Sequence, residues 1–125
     1  MSLKIFIADD SELLVEKLVN ILSDIQDVKI IGKAYDALTA ENLIKKLIPD
    51  VVILDVHLND GSGIEILKQI KKDNPSTIVI IFTNRSEPDY RKVCLKEGAD
   101  YFLDKSIEFE KIIDICKNLI QLKKE

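Results

Sequence analysis

The chain has 125 residues, with 18 Lys and Arg against 22 Asp and Glu and a net charge of −4 at neutral pH. That length suits one domain over residues 1–125, burying roughly two-thirds of its unfolded-chain surface. Hydrophobic residues make up 46%, yet Lys or Asp interrupts every apolar run well short of the roughly 18 residues of a membrane span, and the acidic balance disfavours non-specific nucleic-acid binding.

The amino terminus runs directly into Leu3-Lys4-Ile5-Phe6-Ile7-Ala8, a strand signal at 3–8 (β1) that ends in Asp9-Asp10. No charged-then-apolar leader precedes it. A helical period at 12–25 (α1) places Leu14, Leu18, Ile21, Leu22 and Ile25 on one stripe. A strand at 28–34 (β2) and a helix at 37–47 (α2) follow. Pro49-Asp50 then introduces Val51-Val52-Ile53-Leu54-Asp55, the strand at 51–55 (β3). Four consecutive aliphatics read as a strand buried on both faces.

Ser62-Gly63-Ile64-Glu65 matches a capping box opening a helix at 63–73 (α3). Thr77-Ile78-Val79-Ile80-Ile81-Phe82-Thr83 is the strand at 77–83 (β4). Pro88 suits the first turn of a helix at 88–97 (α4), which Gly98 is placed to end. Tyr101-Phe102-Leu103-Asp104 (β5) leads into Lys105, and a helix at 107–122 (α5) aligns Phe109, Ile112, Ile113, Cys116 and Ile120. Cys116 and Cys94 therefore read as core thiols. They form no CxxC, and with no leader the expected compartment is a reducing cytoplasm.

Strict β-α alternation implies a parallel sheet with right-handed crossovers and helices on both faces. Ligands of such sheets bind at the carboxyl ends of the strands. Those ends carry Asp9, Asp10, Asp55, Thr83 and Lys105. Carboxylates gathered at one rim repel unless a cation neutralises them. Hard oxygen donors without His or Cys side chains favour Mg²⁺. A carboxylate beside such a metal can attack a phosphoryl group, with a second cation and a hydroxyl around the equatorial oxygens. Lys105 and Thr83 are those groups. Taken singly, Asp9 or Asp10 is a helix cap, Asp55 a turn acid and Lys105 a surface lysine. Their joint appearance at separate strand ends is what makes a site.

Ile7-Ala8-Asp9-Asp10-Ser11, Pro49 to Asp55, Phe82-Thr83 and Gly98 to Lys105 together resemble the receiver domain of two-component response regulators, from Lys4 to about Leu122. The single-domain chemotaxis regulators are the nearest type. The resemblance implies a doubly wound α/β fold with a five-stranded parallel sheet in order 2-1-3-4-5. It makes Asp55 the phosphoacceptor, served by a histidine kinase or phosphotransfer protein. Asp10, Asp55 and the His57 backbone carbonyl would hold Mg²⁺, with Asp9 acting through water. Thr83 and Lys105 would hold the phosphoryl oxygens, and Phe102 would turn inward as Thr83 moves. Catalysis would extend only to the domain's own phosphorylation and dephosphorylation.

Ser106 stands where many family members carry a cis proline. A cis bond before a non-proline residue costs about 3 kcal/mol, so the sequence leaves the isomer of Lys105–Ser106 open. His57 and Asn84-Arg85 hold variable positions that tune phosphoryl lifetime in the family. The output face would be α4-β5-α5, reaching a downstream protein or a second copy of the chain. Ile115, Leu119 and Leu122 are expected as an exposed seam on α5, whereas Arg85, Arg91, Lys92 and Lys96, and farther on Lys117, Lys123 and Lys124, read as solvated charge. Three other readings are the receiver half of a DNA-binding regulator, a phosphorelay intermediate or sink, and an aspartate-nucleophile phosphatase of the haloacid-dehalogenase type. The last wants Asp-x-Asp on its first strand, and this chain has adjacent acids there.

Overall fold

The computed structural model describes residues 2–85 and 87–124. Five strands form one parallel sheet: β1 (Leu3–Ala8), β2 (Val28–Ala34), β3 (Val51–Leu54), β4 (Ile78–Thr83) and β5 (Tyr101–Asp104), in the order β2-β1-β3-β4-β5. The helices are α1 (Glu12–Ser23), α2 (Ala37–Leu47), α3 (Gly63–Asp73), α4 (Pro88–Lys96) and α5 (Phe109–Lys124). Fold class and strand order agree with the expectation, and boundaries move by one or two residues. Between β3 and α3 lies a feature the sequence did not announce, a two-residue antiparallel ladder of His57–Leu58 on Gly61–Ser62.

Alternation along the strands sorts the core into two layers. Ile5, Ile7, Val51, Ile53, Ile80 and Phe82 face α1 and α5, meeting Val15, Leu18, Ile112 and Cys116. Phe6, Ala8, Val52, Leu54, Val79 and Ile81 face the other way, toward Ala40, Ile66, Leu67 and Cys94. Both cysteines are buried and free, as expected of core thiols; burial pushes the Cys116 thiol up to about 12.

Helix ends explain how the rim is built. The N-cap of α1 is Ser11, whose hydroxyl accepts from the Leu14 N–H at 3.2 Å, so neither Asp9 nor Asp10 caps that helix. The expected capping box at α3 is half formed. The Ser62 hydroxyl accepts from the Ile64 N–H, while Glu65 reaches Lys68 instead. Ser62 is already paired with His57 in the short ladder. At the end of α4, Gly98 adopts φ +103°, its N–H bonds the Leu95 carbonyl, and the Ala99 N–H bonds that of Cys94. That pair of bonds is a Schellman motif, in which glycine avoids the Cβ penalty. Among the described residues no peptide bond is cis, Lys105–Ser106 included.

Candidate functional site

Consecutive parallel strands place the residues that follow β1, β3, β4 and β5 at one rim. Asp9, Asp10 and Asp55 each bring a carboxylate oxygen within 4.8 Å of the others, a grouping able to hold a metal ion. Asp9 and Asp55 are buried, at 3% and 7% exposed, whereas Asp10 is open to solvent. Asp55 follows the last paired residue of β3, and its Oδ1 accepts from the His57 N–H at 3.4 Å. Asp9 Oδ1 accepts from the Ser11 N–H at 2.9 Å, so the turn into α1 orients it.

Lys105 closes the group. Its Nζ lies 2.6 Å from Asp9 Oδ2 and 2.7 Å from Asp55 Oδ2, an ammonium shared by two acids. Its backbone N–H donates to the Thr83 carbonyl at 3.0 Å. Thr83 is fully buried, and its hydroxyl accepts from the Arg85 N–H at 3.1 Å. The structure brings Asp9, Asp10, Asp55 and Lys105 together, with Thr83 at the end of β4 bonded through its carbonyl to the Lys105 backbone. His57 lies on the short ladder beside them, its exposed imidazole edge-on to Tyr90 with ring centroids 5.6 Å apart.

Sharing one ammonium between two carboxylates has electrostatic consequences. Burial pushes the Asp9 carboxyl above its ordinary value, by more than the Lys105 and Ser11 hydrogen bonds pull it down. Burial pulls the Lys105 ammonium down, but its pairing with Asp55 and Asp9 outweighs that and holds it above the ordinary lysine value. The lysine is favoured as a cation while Asp9 bears the cost of being charged in a dry place. A small divalent cation among these oxygens would relieve it, and the all-oxygen donor set suits one.

Gly63 carries a functional constraint beyond the capping signal in which sequence reasoning placed it. Its N–H donates to the Val56 carbonyl at 2.7 Å, and a Cβ there would stand 1.8 Å from the Asp55 carbonyl oxygen. The start of α3 thus lies against the backbone of Asp55, and only glycine fits. Arg91 is exposed, as solvated charge should be, and its guanidinium also donates to the Phe102 carbonyl at 3.2 Å and lies 5.6 Å from the centre of that ring. Lys123 and Lys124 are likewise paired, with Asp50 and Asp27. Phe102 already points inward, at 5% exposed.

The seam expected on α5 is corrected. Ile115 is buried, at 8% exposed, in the layer with Leu103, Ile112 and Cys116. Its position one residue before Cys116 and three after Ile112 turns it toward β5 rather than to solvent. It floors a groove with Leu95 and Tyr101. Leu119, half buried, and Leu122, exposed, line a different depression with Leu3 and Ile78 at the amino ends of the strands. The three residues do not share one exposed surface.

A family model described as the response regulator receiver domain matches residues 5–117. The chain is 30% identical over 122 residues to the Bacillus subtilis transcriptional regulatory protein YvfU, covering 98% of this chain and 61% of that protein. It is 27% identical to the transcriptional regulatory protein DesR of the same organism, covering 98% and 60%. The chain thus spans about three-fifths of the length of these relatives. Among solved structures, the signal receiver domain of a NarL response regulator from Mycobacterium tuberculosis superposes with a TM-score of 0.81 at 28% identity, covering 93% of this chain and 97% of that one.

Proposed function

Because the chain belongs to the response regulator receiver domain family, we propose that Asp55 is the residue through which it works as a phosphorylation switch. The observation that carries this reading is the convergence of Asp9, Asp10, Asp55 and Lys105 at one rim, with Thr83 beside them. Receiver domains bind Mg²⁺ at such an acidic pocket, and the oxygen donors here fit it. Asp10, Asp55 and the His57 carbonyl would hold the ion directly and Asp9 through water. When bound, the ion spreads the charge of the transferring phosphoryl group.

An Asp55 carboxylate oxygen attacks the phosphorus of a phosphohistidine in line with the phosphorus–nitrogen bond. That bond breaks as the new oxygen–phosphorus bond forms, and the departing imidazole keeps the electron pair and takes up a proton. Lys105 leaves its bridging position to meet a phosphoryl oxygen, and the Thr83 hydroxyl gives up the Arg85 N–H to do the same. Hydrolysis ends the signal: water attacks the phosphorus, the bond to the Asp55 oxygen breaks, and the carboxylate is restored as inorganic phosphate leaves. The donor is a histidine kinase or phosphotransfer protein, and Leu13 and Ile107, 84% and 80% exposed and flanking the rim, suit contact with it.

Thr83 and Phe102 connect the rim to β5, so the phosphoryl state biases the α4-β5-α5 face and its protein contacts. Among the described residues no helix is long and apolar enough to cross a membrane. The chain's share of its two regulatory relatives supports a second reading, a receiver unit governing a DNA-binding part. Both readings need the same phosphoacceptor. Incubation with acetyl phosphate and Mg²⁺ is expected to add one base-labile phosphoryl mass, lost on chelation and in Asp55→Asn; undiminished labelling of that variant would refute the assignment.

A further inference from the structure

The turn that carries Lys105 is held by a hydrogen-bonded clamp. Asp104 Oδ1 accepts from both the Ser106 N–H at 2.8 Å and the Ser106 hydroxyl at 2.6 Å. The bonds straddle Lys105, joining the residue before it to the residue after it. Glu108 adds a second layer, its Oε1 accepting from the Asp104 N–H at 3.0 Å while its own N–H and that of Ile107 bond the Asp104 carbonyl. The Lys105 N–H is tied separately to Thr83. This lysine thus leaves a peptide unit fixed on both sides, and its long side chain still has four rotatable bonds to spend.

We infer that Asp104 and Ser106 are positioning residues for phosphoryl transfer, acting through Lys105 by fixing the backbone from which its ammonium reaches the phosphoryl group. Neither side chain need touch substrate. A simpler role, a solvated turn with no bearing on chemistry, would not require both donors of Ser106 on one oxygen. It would not require that the residue so enclosed be the cation that bridges Asp9 and Asp55. Phosphoryl transfer depends on orientation, and a displacement near 1 Å can cost roughly a hundredfold in rate.

The inference rests on the reading that Lys105 serves the phosphoryl group, so the experiment separates the two. Rates of labelling by acetyl phosphate with saturating Mg²⁺ are measured by intact mass for the parent, Asp104→Ala, Asp104→Asn, Ser106→Ala, Ser106→Thr and Lys105→Ala. Melting temperature and Mg²⁺ affinity are measured alongside. Asp104→Ala and Ser106→Ala are expected to label about tenfold slower, a fraction of the full cost of misplacement, with Mg²⁺ affinity unchanged. Asp104→Asn keeps the accepting oxygen and Ser106→Thr keeps the hydroxyl, so both are expected to restore most of the rate. Parent-like rates in the two alanine variants, or equal loss in Asp104→Asn, would overturn the clamp while Lys105→Ala remains slow. A parent-like rate in Lys105→Ala would instead overturn the underlying reading.

Discussion

At Gly63 a single hydrogen atom lets α3 begin against the carbonyl of Asp55. Gly63→Ala would set a Cβ 1.8 Å from that oxygen, and the helix start or Asp55 must move. A cost of about 2 kcal/mol is expected from overpacking of this kind, together with slowed labelling of Asp55. Urea denaturation and intact-mass kinetics check both, and Gly61→Ala, which meets only the Ala37 methyl at 3.0 Å, is the milder comparison. Asp9 supplies the converse case. Its carboxyl is held above 3.8 in the folded protein chiefly by burial, so the folded state binds its proton more tightly than the unfolded chain does. Stability contributed at Asp9 therefore falls as pH rises from 3.8 through the raised folded value. Metal-free Asp9→Asn is expected to melt higher than the parent at pH 7, with the gap closing as pH falls through the raised folded value toward 3.8; thermal melts in chelator across that range check it.

Elements hold the site as much as residues do. The loop between β3 and α3 is tied to α2 by Asp60, whose carboxylate accepts from the Ala37 N–H at 2.5 Å and the Leu38 N–H at 3.2 Å. These bonds, the Ala37 one foremost, hold the Asp60 carboxyl below its ordinary value. The sign is opposite to that of Asp9: stability from Asp60 is present above 3.8 and is lost as pH falls through the lowered folded value. Asp60→Ala is expected to melt lower at pH 7, and its deficit is expected to shrink in acid, read by circular dichroism melts at several pH values. On the other side of the rim, the first turn of α4 meets two neighbours at once. Tyr90 meets His57 edge-on and Arg91 caps the Phe102 carbonyl, so α4 bridges the phosphoacceptor loop and β5.

For the molecule as a whole, the parallel sheet and its rim were legible because the strands are short, largely apolar runs and four of them, β1, β3, β4 and β5, lead into the polar residues of the rim. Val51 to Leu54 needed nothing more than burial on two faces to be read. Ladder order was not legible from alternation and came only through the family resemblance. What escaped the sequence depends on through-space distance: the closeness of Gly63 to Asp55, the Asp104 oxygen receiving Ser106, and the pairing of Arg91. Ile115 was misplaced because helical periodicity measured from Phe109 ignores that α5 also packs across β5, which widens its buried stripe. The central claim is that phosphoryl transfer ends on Asp55. Borohydride reduction of the freshly labelled protein converts an aspartyl phosphate to homoserine, and peptide mass mapping locates it. Homoserine at position 55 alone is the predicted result; homoserine at 9 or 10, or none at 55 in fully labelled protein, would contradict it.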